Sequence, residues 1–191
     1  EVIFGSAYPT YSVNDKYLDW ENTALPHAVT VYNGAPTGGR SGISPFLYTV
    51  EHFYTANGKL PKDDKTFAAE SDWFASAGLT RSEILNAMRE PRFYAWIAFD
   101  GAEYGSKLAN GKPLIVNMRD KDKQGYNPSK DNDLNITGYL STKFILPNLT
   151  WNASSNGTNT KTVPFPVVRL GELYLDLAEC YAALGDAGKT L

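Results

Sequence analysis

The clearest alternation of apolar and polar positions lies near the end of the chain, from Pro164 to Gly185. Read from Val167, Leu170, Leu173, Leu177, Cys180 and Leu184 recur at helical spacing, and Tyr174, Ala178 and Tyr181 widen the stripe. Glu172, Asp176 and Glu179 fall off it. The spacing predicts a helix that follows an extended segment ended by Pro164 and Pro166. Gly185 should stop it, because glycine readily takes the left-handed conformation just past a helix end. Asp186 to Leu191 reads as the start of a second helix. A stripe this broad needs a partner, so it is expected to pack against segments beyond these 191 residues or against another copy.

Upstream, the patterns are shorter. Glu1 to Phe4 reads as a strand. Gly5 to Gly42 has neither helical nor strand periodicity, yet it carries Tyr8, Tyr11, Tyr17, Trp20 and Tyr32. Ser44-Pro45 pairs a capping residue with a first-turn proline and predicts a helix to Ala56, stopped by Asn57-Gly58. Lys59 to Lys65 reads as a solvated turn. Thr80-Arg81-Ser82-Glu83 is a capping box that predicts a helix over Ile84, Leu85 and Met88, ended by Pro91. Arg92 to Phe99 is rich in aromatic and branched residues before Asp100-Gly101, which predicts a strand, and Lys112–Met118 and Gly138–Leu146 predict two more. The fold class implied is mainly α with long irregular loops and a few short strands. Residues 1–163 form the loop-rich, mixed subregion, and residues 164–191 begin the helix pair.

Composition changes this picture little. Apolar content of 42% and charged content of 20% suit a globular chain and not a disordered one. A net charge of −3 with no Lys/Arg cluster argues against nucleic acid as a partner. The aromatic share, 13%, is the departure: it serves either a core and turns built with tyrosine or a surface that stacks on flat ligands. Cys180, the single cysteine, cannot form an internal disulfide, and its place on the stripe predicts a buried, inert thiol. Signal peptide, transmembrane span and lipidation site are all missing. Since Glu1-Val2-Ile3-Phe4 reads as the interior of a longer sequence, that carries no weight.

No catalytic, metal or cofactor site is expected. His27 and His52 are the only histidines, and there is no His-x-x-x-His, no cysteine pair and no Asp-x-Asp-x-Asp-Gly loop. Gly38-Gly39-Arg40-Ser41-Gly42 lacks the lysine and the preceding strand of a phosphate loop, and reads as a turn. The 21 acidic residues offer carboxylate pairs for glycoside hydrolysis, but nothing singles one out. Binding is better supported. A sugar presents flat C–H faces ringed by hydroxyls, so its site needs aromatic platforms beside paired polar groups. The stretch Gly5 to Gly42 interleaves Tyr8, Tyr11, Tyr17, Trp20 and Tyr32 with Asn14, Asp15, Asp19, Asn22, Asn33 and Arg40. Trp20, with the largest flat face, is the expected platform; the alternative is that these rings are buried to pin a long loop. Asn135, Asn148, Asn152 and Asn156 each open a glycosylation-type acceptor triplet, which would be coincidence in a bacterial chain and the leading sign of secretion in a eukaryotic one.

Several of these strings resemble known patterns. Ala178 to Leu191 is similar to the helix-turn-helix junction of a tetratricopeptide unit. The longer string from Pro166 through Arg169, Glu172, Ala178 and Glu179 to Leu184-Gly185 resembles the closing helix-pair motif of the SusD/RagB family. These are surface glycan-binding lipoproteins of Bacteroidetes outer membranes. The family's other motifs follow in order: Glu1-Val2-Ile3-Phe4, Pro45 to Gly58, Met88-Arg89-Glu90-Pro91-Arg92-Phe93, and Gly138-Tyr139 to Lys143-Phe144. Met88 stands where an asparagine is usual. The resemblance covers nearly the whole chain and implies a central-to-C-terminal fragment of one SusD-like domain, with a tetratricopeptide-type helix pair at its end. It further implies non-catalytic binding of oligosaccharide, a SusC-like TonB-dependent transporter as partner, and a place on the outer-membrane surface. The membrane would be reached only through a lipid anchor on an N-terminus outside this sequence. No residue-level binding motif carries over to Gly5–Gly42. Two other readings stay open: a helical-repeat scaffold that binds protein, and a glycosidase fragment.

Overall fold

The structure, a computed structural model, describes residues 2–6, 23–32, 35–77, 82–129, 135–143, 145, 149–151, 165–186 and 188. In chain order the elements are β1 (Val2–Ser6), β2 (Thr30–Tyr32), β3 (Ala35–Thr37), α1 (Leu47–Glu51), α2 (Pro91–Trp96) and β4 (Ile97–Ala98). There follow β5 (Glu103–Lys107), β6 (Pro113–Ile115), β7 (Leu140–Ser141), β8 (Phe165–Arg169) and α3 (Leu170–Ala183). Two compact units result, residues 1–18 with 161–191, and residues 19–160.

In the first unit, β1 pairs antiparallel with β8, from Val2 opposite Arg169 to Ser6 opposite Phe165. The strand expected at Glu1–Phe4 is therefore present. The helix expected from Val167 starts three residues later, because Val167 and Val168 belong to β8. Branched valines suit an extended backbone, and β1 supplies the ladder. At the other end Gly185 (φ +75°) stops α3 as expected. The Gly185 N–H donates to the Ala182 carbonyl and the Asp186 N–H to the Tyr181 carbonyl, each at 3.0 Å, which is the Schellman closure. The stripe stays open, with Leu173 44% and Leu177 49% exposed. Cys180, expected to be buried, is exposed with it. The helix that would complete a tetratricopeptide-type pair falls for the most part outside the described residues.

The second unit is built around two apolar clusters. One gathers Leu25, Ala98, Tyr104, Leu114, Val116, Leu140, Leu149 and Trp151; the other gathers Val50, Phe53, Trp73, Leu85, Phe93, Ile97 and Tyr139. The short ladder of β4 and β7, Ile97 opposite Ser141 and Ala98 opposite Leu140, stands between them. Successive strand side chains point to opposite faces, so Ile97 and Tyr139 enter one cluster while Ala98 and Leu140 enter the other. A hairpin of β5 and β6 flanks the first cluster, with Tyr104 and Leu114 facing inward.

Several expected elements shrink or change type in this unit. The helices that lie wholly within the described residues are 5, 6 and 14 residues long, so among the described residues mixed, largely irregular structure stands where a mainly helical chain was expected. α1 begins at Leu47 because the Ser44 hydroxyl donates back to the Ser41 carbonyl (2.8 Å) instead of capping the helix. It ends at Glu51, since the chain then turns at Asn57-Gly58, with the Thr55 N–H donating to the Lys59 carbonyl at 2.7 Å. The helix expected over Ile84 to Met88 is one 3₁₀ turn, Ile84–Asn86. Glu83, placed for a capping box, instead accepts from Asn86 Nδ2 (2.9 Å) and Arg119 Nη2 (2.7 Å). The strand expected over Arg92–Phe99 is mostly helix α2, because Pro91 opens it at the first-turn position where a missing N–H costs nothing. The later strands shorten to β6 and β7.

Gly38-Gly39-Arg40-Ser41-Gly42 runs beside residues 23–26, with the Gly39 N–H on the Pro26 carbonyl and the Ser41 N–H on that of Leu25. A Cβ on Gly39 would lie 2.2 Å from the Leu25 oxygen, so glycine is there for close packing of backbones. β2 and β3 pair as a hairpin inside the stretch that shows no periodicity, Tyr32 opposite Ala35. The dipeptide between them, Asn33-Gly34, is the strongest short-range hairpin signal a sequence carries.

Arg89 joins the parts of the second cluster. It is 3% exposed, and Nη1 donates to the Leu85 carbonyl (2.7 Å) while Nη2 donates to those of Val50 (2.5 Å) and Phe53 (2.7 Å). Its guanidinium also lies 4.7 Å from the centre of the Phe93 ring. To aim that side chain inward, the preceding residue turns left-handed: Met88 has φ +50° and is 66% exposed. Such a backbone costs an ordinary L-residue about 1–2 kcal/mol, and asparagine less. That is a physical reason for the asparagine usual at this place. Met88→Asn should therefore raise stability by up to about 1 kcal/mol, seen as a higher urea midpoint at unchanged slope. A lower midpoint would show that the exposed Met88 side chain contributes packing.

Candidate functional site

α1 presents Tyr48 and Glu51, and His52 just past its end, on one face, since residues three and four apart are neighbours on a helix. The chain then returns through two 3₁₀ turns, Pro61–Asp63 and Glu70–Asp72, which bring Leu60, Lys62, Glu70 and Trp73 to the same place. Together these residues line a shallow depression of about 220 Å³. Trp73, 4% exposed, forms its buried wall, with the indole N–H donating to the Ala68 carbonyl at 3.0 Å. Tyr48 is 70% exposed. Its ring lies 4.0 Å from that of His52 at 33°, and His52 Nδ1 donates to the Tyr48 carbonyl at 2.7 Å. In neutral imidazole that leaves Nε2 as an acceptor. An open aromatic face is thus set among carboxylates, an ammonium and an imidazole. It has the components that a sugar ring needs, stacking area beside directional polar groups.

The turn under this depression is held by one buried carboxylate. Asp64, in a segment expected to be solvated, is 5% exposed. It accepts from the Thr55 hydroxyl (2.6 Å), Asn57 Nδ2 (3.0 Å), the Thr66 hydroxyl (2.8 Å) and the Thr66 N–H (3.0 Å). These hydrogen bonds, led by that from Thr55, hold its carboxyl far below the usual carboxylate range.

Of the residues expected to form a site, Tyr8, Tyr11, Tyr17, Trp20 and Asn33 lie outside the described residues. Tyr32 is in β2, and Arg40, exposed beyond β3, does not line the depression. Trp96 is another aromatic at the surface, 36% exposed, but cations already lie over it, with Lys143 Nζ 4.5 Å and the Arg92 guanidinium 5.6 Å from its ring centre. Asn135, first of the acceptor triplets, is 3% exposed and its amide donates to the Tyr139 carbonyl at 2.7 Å, so it serves a turn and is closed to modification. Among the described residues no cluster of histidine, cysteine and carboxylates could hold a metal. Nor is any helix long and apolar enough to cross a membrane. Tyr48, Glu51, His52 and Glu70 were missed by sequence reasoning. The first three were legible as one face of the helix begun near Ser44, whereas Glu70 arrives by a fold-back without a sequence period.

The family model described as the SusD family matches residues 1–190. The chain belongs to the SusD family. Two structures of BT4246, one in selenomethionine form, align over all of this SusD-family chain at 42% identity, with TM-scores of 0.80 and 0.79. The structure of a SusD-like protein (BF3747) from Bacteroides fragilis NCTC 9343 aligns over the whole chain at 24% identity and TM-score 0.62, which speaks for the fold. The chain spans 32%, 31% and 33% of those three, about a third of their length. No curated protein matches it significantly. Within the described residues the SusD-family strings are scaffold elements. Met88 to Phe93 carries Arg89 and its ring partner. Gly138-Tyr139 places the Tyr139 hydroxyl on Asn86 Oδ1 at 3.2 Å, where burial pushes its pKa up to about 12.

The Asp64 network makes acid sensitivity testable. A carboxyl depressed in the folded state binds fewer protons than in the unfolded chain. Its contribution is complete above the unfolded value near pH 4, and is lost as pH falls toward the folded value. The advantage of wild type over Asp64→Asn should be constant from about pH 7 to 5 and shrink below about pH 4, measured as Tm across pH. A difference that does not change with pH would remove Asp64 as the titrating group.

Proposed function

We propose that this chain is part of a single SusD-like domain that binds oligosaccharide at the bacterial cell surface without turning it over, and hands it to a SusC-like TonB-dependent transporter. Membership of the SusD family over residues 1–190 carries the reading. The open Tyr48 face with its carboxylate, ammonium and imidazole neighbours supports it. A lipid anchor on an N-terminus outside this sequence would hold the protein at the outer membrane. Within the chain, two aromatic platforms are proposed: Trp20 with Tyr8, Tyr11, Tyr17, Tyr32, Asn33 and Arg40, and Tyr48 in the depression. The open stripe of α3, Leu173 and Leu177, with Leu184 just past its end, favours a second reading in which this helix docks protein, as in a helical-repeat scaffold.

Affinity electrophoresis of the protein against a panel of plant and host glycans should show retention, and a reducing-end assay of the same mixtures should show no new ends. Stacking of one aromatic face is worth on the order of 1 kcal/mol, about fivefold in Kd. Tyr48→Ala and Trp20→Ala should each weaken retention by about that factor with little change in Tm. A Trp20→Ala variant that keeps its affinity but loses about 3–5 kcal/mol of stability would make Trp20 a buried loop anchor. Release of reducing ends abolished by one carboxylate substitution would make the protein a glycosidase. No retention on any glycan, with capture of a defined protein partner through α3, would favour the second reading.

A further inference from the structure

The tetrapeptide Ala-Asn-Gly-Lys occurs twice, at residues 56–59 and 109–112, and the fold uses it the same way both times. In the first copy the Thr55 N–H donates to the Lys59 carbonyl (2.7 Å) and the Gly58 N–H to the Thr55 carbonyl (2.9 Å). In the second the Leu108 N–H donates to the Lys112 carbonyl (2.9 Å) and the Gly111 N–H to the Leu108 carbonyl (2.8 Å). Gly58 and Gly111 both turn left-handed, at φ +71° and +77°, and both asparagines are exposed. The two turns therefore share sequence, backbone and solvent access.

They differ in what holds the asparagine side chain. Asn57 Nδ2 donates to Asp64 Oδ2 (3.0 Å) and to the Thr66 hydroxyl (2.9 Å), so the amide is tied to the buried carboxylate network. Asn110 has one side-chain bond, from the Lys112 N–H to Oδ1 (3.0 Å), which leaves its nitrogen toward water and draws electrons from the carbonyl carbon. An asparagine followed by glycine is chemically labile, because no side chain shields the next backbone nitrogen.

We propose that Asn110 is a site of spontaneous deamidation and that Asn57 is protected from the same reaction by Asp64 and Thr66. The Gly111 amide, released from its bond to the Leu108 carbonyl, gives its proton to solvent base, and its nitrogen attacks Asn110 Cγ. The N–Cγ bond forms, the Cγ–Nδ2 bond breaks, and the side-chain nitrogen takes up a proton and leaves as ammonia. Water then opens the succinimide at either carbonyl, giving aspartate or iso-aspartate, so that water enters and ammonia leaves overall. At Asn57 the side chain must rotate to bring Cγ to the Gly58 nitrogen, and that rotation breaks both of its amide hydrogen bonds. The product at Asn110 places a new negative charge at the tip of the β5–β6 hairpin, and the iso form lengthens the main chain there by one carbon.

The folded protein, held at mildly alkaline pH and sampled over days, is digested with trypsin and mapped by fragmentation mass spectrometry. The amide-to-acid mass gain at Asn110 should accumulate severalfold faster than at Asn57. In concentrated urea the two rates should converge, since only the fold distinguishes the sites. Thr66→Ala, and more strongly Asp64→Ala, should raise the Asn57 rate toward that of Asn110. Equal rates in the folded protein, unequal rates kept in urea, or no rise in either variant would each overturn the proposal. Asn33-Gly34 and Asn156-Gly157 lie outside the described residues and serve as the reference for unassigned Asn-Gly pairs in the same map.

Discussion

A guanidinium buried on backbone carbonyls holds the centre of the larger unit. Arg89 cannot shed its charge by deprotonating, even though burial lowers its pKa, so the cost of taking it out of water must be met where it stands. The carbonyls of Val50, Phe53 and Leu85 meet it, with the Phe93 ring packed beneath. The first two lie at and just after the end of α1, where the last helical carbonyls have no partner within the helix and the dipole favours a cation. Arginine suits the task because a planar fork reaches several acceptors at once, while a lysine ammonium is a single point. The position of α1, and hence of Tyr48, Glu51 and His52 on its other side, follows from this contact.

Features decided within a few residues were legible in the sequence. The Val2–Ser6 strand, the turns at Asn57-Gly58 and Asp100-Gly101, and the stop at Gly185 all stand where local chemistry placed them. Pro91 shows how a local signal misleads: it suited the end of one helix as well as the start of another, and the left-handed Met88 before it decided for the start. Asp64 was read as part of a solvated turn, and Arg89 only as a member of a family string, because their partners are distant in sequence or are backbone atoms, which leave no trace in composition. The depression was half legible. Its α1 face follows from helical spacing, but its other wall depends on where two 3₁₀ turns fold back.

The aromatic richness of the chain divides between the two explanations offered for it. Phe93, Tyr104, Tyr139, Trp73 and Trp151 are buried in the two clusters, so core building accounts for them. Tyr48 is an exposed aromatic set in the depression beside polar groups, whereas Trp96, the more attractive residue by type, has Lys143 and Arg92 over its ring. Residue type therefore ranks platforms poorly, and the neighbours of a ring decide whether a ligand can use it.

The ladder between the two clusters has a consequence for how the larger unit comes apart. Two residue pairs of β4 and β7 serve as a common wall, with adjacent residues committed to opposite clusters. Neither cluster can lose this wall without exposing the apolar face of the other, so opening of one is penalised by both. The two clusters should therefore open as one cooperative foldon, with amides at Ile97, Ala98 and Leu140 in its slowest-exchanging class.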